Sequence, residues 1–197
     1  MAKPFLMNDL ATNRLFLRKL SMEDASDMFE YASDPQVSRY TLWEPHDSLD
    51  CTRTFIKSVI EGYHANEPEP WGIFYKQAGK LIGTAGFFDY NMKEGTSEIH
   101  YAISRAYWGK GLMTEAVREI IRYGFENLQL KTITAKCMVN NLSSEKVMQK
   151  AGMAFAQIRP NAIEAKGAKW DAKVYSINRP SPISSPSRGE DEGEGEN

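Results

Sequence analysis

The sequence predicts a mixed α/β layer, with a largely antiparallel first half and a strand–loop–helix–strand unit in the middle. Three observations predict it. Runs of period two and period 3.6 take turns along 197 residues, of which 42% are hydrophobic and 25% charged, an ordinary balance for a globular core. Turn residues separate short β-like runs in the first half. Finally, YWGKGLMTEA (Tyr107 to Ala116) sets two glycines one residue apart between a β-like run, EIHYAI, and an apolar-periodic helix. Such a bend can aim several backbone N–H groups, together with the positive end of the helix, at an anionic phosphate group.

The elements follow in order. RLFLRKL (Arg14 to Leu20) alternates Leu15 and Leu17 against Arg14, Phe16 and Arg18, the pattern of a half-buried strand. Ser21 with Asp24 three residues later opens a helix, and Asp34-Pro35 closes it. Gln36 to Asp47 has aromatic content without period and reads as a loop. A second helix starts near Ser48, with Leu49, Phe55, Ile56, Val59, Ile60 and Tyr63 at helical spacing. WGIFYK, the turn QAGK and LIGTAGFFDY form a hairpin, and a turn at Lys93 to Thr96 leads into EIHYAIS. The helix after the glycines spans about Leu112 to Asn127. TITAKCMV (Thr132 to Val139) is the next strand, and a short helix from about Leu142 ends at Gly152, a residue suited to the position just past a helix. Strands around Met153–Arg159 and Lys169–Asn178 finish the pattern.

The residues exclude several function classes. No apolar run approaches the roughly 18 residues that span a bilayer, and MAKPFLMNDL lacks the layout of a signal peptide; a cytoplasmic location is expected. Cys51, Cys137 and three scattered histidines form no metal-ligand spacing, so no metal is expected. From Arg179 onward there are two basic and five acidic residues, leaving a nearly neutral body without the basic stripe of a nucleic-acid binder. Residues 1–178 are expected to be one domain, and the Pro/Ser- then Gly/Glu-rich stretch 179–197 a disordered acidic tail.

Three phosphate ligands compete for the glycine bend. A P-loop needs GxxxxGK[ST], which is absent. A dinucleotide fingerprint needs a third small residue where Thr114 stands, and an acidic residue where Asn140-Asn141 follow the next strand. The third is the pyrophosphate of coenzyme A. ISRAYWGKGLMTEAV resembles the (Q/R)xxGx(G/A) segment of the GNAT superfamily of N-acetyltransferases. TNRLFLRKL, DPQVSRYTLWEPHDS, NNLSSEKVMQKAGM and KWDAKVYSI resemble its branch that acetylates the N-terminal amine of ribosomal proteins. Two positions depart from the pattern. Ala106 stands where the family has Gln or Arg, which shifts that loop contact to Arg105, and Met153 replaces the usual Phe after glycine.

The resemblance implies a mostly antiparallel central sheet of six to seven strands flanked by about four helices, and acetyl-CoA as co-substrate without a metal. It implies that Tyr101, Ala102 and Ile103 pair with the pantetheine arm like an added strand. Trp108, Gly109, Lys110, Gly111, Leu112, Met113 and Thr114 would form the coenzyme loop and helix start. For Trp108, packing beneath the loop is the competing role; for Lys110, facing solvent. Asn141 would hold the coenzyme arm or cap the next helix, and Ser144 would protonate the leaving thiolate. Trp43, Glu44 and His46 would line the acceptor side.

The amine sets the demand on a base. At pH 7, deprotonation costs roughly 1 kcal/mol for an α-amino group and about 4.6 kcal/mol for a lysine side chain. Glu98 is the candidate catalytic base, sharing a strand face with His100 and Ala102; His100 is the alternative. The expected activity is therefore direct acetyl transfer to a primary amine, most readily a ribosomal-type protein N-terminus, by a monomer or homodimer. A small-molecule amine acceptor, and a non-catalytic acyl-CoA sensor or interaction module, are the alternatives.

Overall fold

The computed structural model describes residues 7–180. The acidic tail expected to be disordered lies, from residue 181, outside the described residues. The strands are β1 (Leu10–Ala11), β2 (Leu15–Arg18), β3 (Trp71–Tyr75), β4 (Lys80–Asn91), β5 (Thr96–Ile103), β6 (Thr132–Met138), β7 (Ala154–Ala165) and β8 (Ala168–Asn178). The helices are α1 (Ala25–Ala32), α2 (Pro35–Ser38), α3 (Leu49–His64), α4 (Leu112–Glu126) and α5 (Leu142–Lys150). Among the described residues one sheet of eight strands runs β1-β2-β3-β4-β5-β6-β8-β7. Every neighbouring pair is antiparallel except β5 with β6.

Local chemistry sets most boundaries. Leu15 and Leu17 of β2 are fully buried, as their alternation predicts. Asp24 accepts from the Ser21 backbone N–H at 2.8 Å and starts a single 3-10 turn that runs into α1. Ser48 caps α3 by accepting from Cys51 N–H. One face of the sheet carries α4, whose Ala116, Val117 and Ile120 pack with Leu15, Ile73, Ile99 and Ile133. The other face carries α1 and α3, through Met28, Tyr31, Ile56 and Val59 over Leu20 and Leu81. Among the described residues no helix is long and apolar enough to cross a membrane.

Three boundaries differ from the sequence reading. The loop expected from Gln36 begins instead as α2, because Pro35 is pre-set for a first helical position and Asp34 accepts from Gln36 N–H at 2.8 Å. The seventh strand continues past Arg159 through Pro160 to Ala165. It is the outermost strand, where a missing N–H breaks no ladder, and its register shifts between Arg159 and Ile163. The sheet has eight strands rather than six or seven, because β1 is only two residues long and carries no period of its own.

Candidate active site

The parallel strands β5 and β6 are paired at only three positions, Thr96–Thr132, Ser97–Ile133 and Glu98–Thr134. Beyond Glu98, β5 keeps β4 on one side as far as Gly83–Ile103 and has no strand on the other. The segment Tyr101–Ile103 thus presents an open edge to a wedge-shaped gap, and an extended chain can add there as a strand does. The gap is braced from below. Tyr101 Oη lies 2.8 Å from Ser144 Oγ and donates to the Ser144 carbonyl at 3.1 Å. Asn141 Oδ1 accepts from Ser144 N–H at 3.1 Å, so its side chain caps α5.

The glycine bend stands at the mouth of the gap. Gly109 and Gly111 both have φ of +74°, and Gly111 is the N-cap of α4. This left-handed conformation suits glycine, whereas a Cβ disfavours it. The first amides of α4 have no intrahelical acceptor and point toward the bend. Leu112, Met113 and Thr114 are buried, so only their backbone faces it. Lys110 is exposed, its Nζ 5.1 Å from the Tyr107 ring centre. Trp108 does not pack beneath the loop: it is 45% exposed and its indole N–H donates to the Ile103 carbonyl at 2.9 Å.

Sequence reasoning missed the brace behind this bend. Arg14 Nη1 donates to the Lys110 carbonyl at 3.0 Å, and its Nε donates to Glu115 Oε2 at 2.7 Å. Glu115 Oε1 also accepts from the Arg14 backbone N–H at 2.9 Å and from the Thr12 hydroxyl at 2.5 Å. No local signal links residues about a hundred apart. Burial pushes the Glu115 carboxyl up, but these donors and the Arg14 charge outweigh it and hold it below its ordinary value. Its contribution to stability should therefore be complete above the ordinary carboxylate pKa and be lost as pH falls through the lowered value; an acid unfolding titration of Glu115→Gln against the parent checks this. Arg105 is committed elsewhere, its Nε 2.8 Å from Asp34 Oδ2, which argues against the loop contact the sequence suggested.

Glu98 lies on the opposite face of β5. Its Oε1 is 2.5 Å from His100 Nε2 and 3.2 Å from Lys136 Nζ. Burial pushes the carboxyl up, yet the hydrogen bond with the His100 ring and the Lys136 ammonium outweigh it and hold the carboxyl below its ordinary value, so it is ionised at neutral pH. It borders an open cavity of about 410 Å³ lined also by Asp89, Glu94, Thr134, Lys136 and Arg159.

The acceptor-side residues have other partners. Trp43 packs on the α1–α3 core, and His46 Nδ1 is 2.8 Å from Thr52 Oγ1 with its ring 5.5 Å from Trp43. Burial lowers the His46 pKa and so favours the neutral ring. Glu44 is 3.6 Å from Lys166 Nζ, which also donates to the Ser38 carbonyl, tying this loop to the β7–β8 turn. Among the described residues no hydrogen bond or ring contact joins these three to Glu98 or His100. Tyr175 donates to Glu145 at 2.9 Å and is structural. Burial pushes the Cys137 thiol up to about 11, which leaves almost no thiolate at neutral pH. Cys137→Ala is expected to change kcat by less than about 2-fold in a thiol-release assay. Among the described residues no cluster of His, Cys, Asp or Glu is placed to hold a metal ion.

Comparison with known proteins identifies the family and the fold. A family model described as an acetyltransferase (GNAT) domain matches residues 14–154. An uncharacterized N-acetyltransferase of Bacillus licheniformis, p20, is 33% identical over 171 residues, covering 87% of this chain and 96% of p20. A GNAT-family acetyltransferase from Bacillus anthracis superposes with a TM-score of 0.78 at 27% identity, over 87% of this chain and 98% of that one. The ribosomal-protein-S5-alanine acetyltransferase of Vibrio fischeri has a TM-score of 0.71 at 21% identity, over 87% of this chain and 97% of its own.

Proposed function

We propose, on the premise that this chain belongs to the GNAT family of acetyltransferases and uses acetyl-CoA to acetylate an amine, that its acceptor is a protein N-terminal α-amine of ribosomal-protein type. The observation that carries the reading is the gap beyond the Glu98–Thr134 pair, with the glycine bend at its mouth and an ionised carboxylate on its far face. An acetyl donor seated along the open edge of Tyr101–Ile103 would hold its diphosphate on the amides around Gly109 and Gly111. A backbone N–H of that edge would polarise the thioester carbonyl, and such a donor is worth about 3–4 kcal/mol in comparable oxyanion holes. Direct attack by the amine is favoured by the buried, protonated Cys137, which offers no competing acyl carrier.

The acceptor class rests on three supports. An α-amine is far cheaper to deprotonate than a lysine side chain. The segments quoted above resemble the ribosomal-protein branch. A structural neighbour bears that activity in its name. Ser144, held by Tyr101 and the Asn141 cap, would supply the proton to the departing thiolate. A thiolate with an ordinary pKa near 8.5 leaves readily, so Ser144→Ala should lower kcat by only about 10-fold with KM for acetyl-CoA little changed. Mass spectrometry of cellular protein N-termini with and without this chain tests the acceptor. A missing acetyl group on a ribosomal protein supports the reading, and unchanged N-termini beside a lost acetylated polyamine or amino acid overturn it.

A further inference from the structure

The Glu98 carboxylate, the first candidate for a base on sequence grounds, has a poor environment for that work. Two cationic or hydrogen-bonding neighbours share one of its oxygens, and both favour its ionised, weakly basic form. His100, two residues along the same face, is differently placed. Its Nε2 is held 2.5 Å from Glu98 Oε1, and its ring stacks on Phe88 with centroids 4.7 Å apart and planes inclined by 22°. Among the described residues its Nδ1 has no hydrogen-bond partner. The side chain is 37% exposed, so solvent reaches the ring.

We infer that His100, through Nδ1, accepts the proton of the incoming ammonium, and that Glu98 is its positioning residue. With Glu98 ionised, the hydrogen of a neutral imidazole sits on Nε2 and the lone pair on Nδ1. The carboxylate fixes that tautomer and stabilises the imidazolium that forms, while Phe88 restricts rotation of the ring. Lys136 keeps Glu98 charged and so preserves the arrangement. His100 lies between Glu98 and Ala102, at the level where β5 has parted from β6, which is the level at which the thioester would meet the acceptor. The assignment rests on the acetyl-transfer function proposed above.

The proton and electron balance is simple. The ammonium gives one proton to Nδ1, and the freed nitrogen lone pair forms the new N–C bond at the thioester carbonyl. The C–S bond then breaks, its electron pair leaving with sulfur. The second amine proton matches the one the thiolate gains through the Ser144 hydroxyl, and the imidazolium returns its proton to solvent.

The charged group facing His100 is Glu98 on its own strand, which in turn holds Lys136 of β6; Asp89, Glu94 and Arg159 line the cavity that Glu98 borders. The β4 residue packed on it is the apolar Phe88. The test is the pH profile of kcat for thiol release from acetyl-CoA, with hexapeptides beginning in Ala or Ser and with spermidine as acceptors, for the full chain and its His100→Gln and Glu98→Gln variants. Thermal midpoints confirm that each variant is folded. His100→Gln should lower kcat by about 100-fold and remove the acidic limb of the profile, and added imidazole should restore part of the rate. Glu98→Gln should cost about 10-fold in kcat while an acidic limb remains, because the imidazole keeps its lone pair but loses the partner that fixes its tautomer. A limb that survives in His100→Gln and vanishes in Glu98→Gln overturns the assignment while leaving the acetyltransferase reading intact. A parent protein that releases no thiol with any of these amines overturns the proposed function, and this inference with it.

Discussion

Gly111→Val is expected to weaken acetyl-CoA binding by about 100- to 1000-fold, measured by titration calorimetry, and to cost about 1–3 kcal/mol of folding stability. Gly111 sits at φ +74° and ψ 5° as the N-cap of α4. A Cβ there would meet only Arg14 Nη2, at 3.7 Å, an ordinary contact, so crowding is not what the valine would cost. The cost is conformational. A β-branched residue is strongly disfavoured in the left-handed region, and relaxing to negative φ turns the adjoining peptide planes away from the bend. Losing two charge-assisted hydrogen bonds to a diphosphate, at about 1.5–3 kcal/mol each, accounts for the expected loss of affinity. Gly111→Asn should retain more binding, since asparagine tolerates this backbone better. Affinity for Gly111→Val within about 3-fold of the parent would show that the bend is not the diphosphate cradle.

Trp71→Ala should remove about 3–5 kcal/mol of stability, from a total that for a domain of this kind is about 5–15 kcal/mol. Trp71 is fully buried at the start of β3, between the Phe87 ring at 6.1 Å and the Tyr123 ring at 5.4 Å, both edge to face. It therefore joins β3, β4 and α4 on the face that carries the α4 core. Its indole N–H donates to the Asn8 carbonyl at 2.8 Å and fastens the segment ahead of β1. Alanine leaves a cavity between Phe87 and Tyr123 that α4 cannot fill without giving up its packing on the sheet. Urea unfolding at unchanged m-value reads the effect. A loss below about 1.5 kcal/mol would mean that the site relaxes and the three elements are less firmly coupled than their packing indicates.

The features legible in the sequence share one property, that their physics is complete within a few residues. The alternation of Leu15 and Leu17, the caps at Ser48 and Asn141, and the glycines at 109 and 111 each act on their nearest neighbours. The strand–bend–helix unit was readable for that reason. Features that escaped the sequence depend on distant partners. Arg14 is a strand residue like any other until Glu115 and Lys110 arrive beside it. Arg105 offered itself to the coenzyme loop by position, yet Asp34 engages its guanidinium. Pro160 looked like a strand end, and only its place on the outermost strand makes it harmless. Trp43 and His46 suggested acceptor contacts by lying in an aromatic loop; that Trp43 also packs on the α1–α3 core and that the His46 ring lies against it came only from the fold.

The sequence by itself determined most of the elements and the place of the paired-glycine bend, and it singled out the Glu98 carboxylate and the Ser144 hydroxyl, but it did not reveal β1 or α2. Only the tertiary structure decided that β5 and β6 part after Glu98, and that Lys136 and His100 converge on one carboxylate oxygen. The reason is one of range. Dihedral preference, capping and periodicity act over a turn or a strand pair, whereas the opening of two parallel strands depends on the twist of the whole sheet and on α4 packed across it. The charge state and orientation of the side chains along that opening follow from which neighbours the twist brings within hydrogen-bond reach.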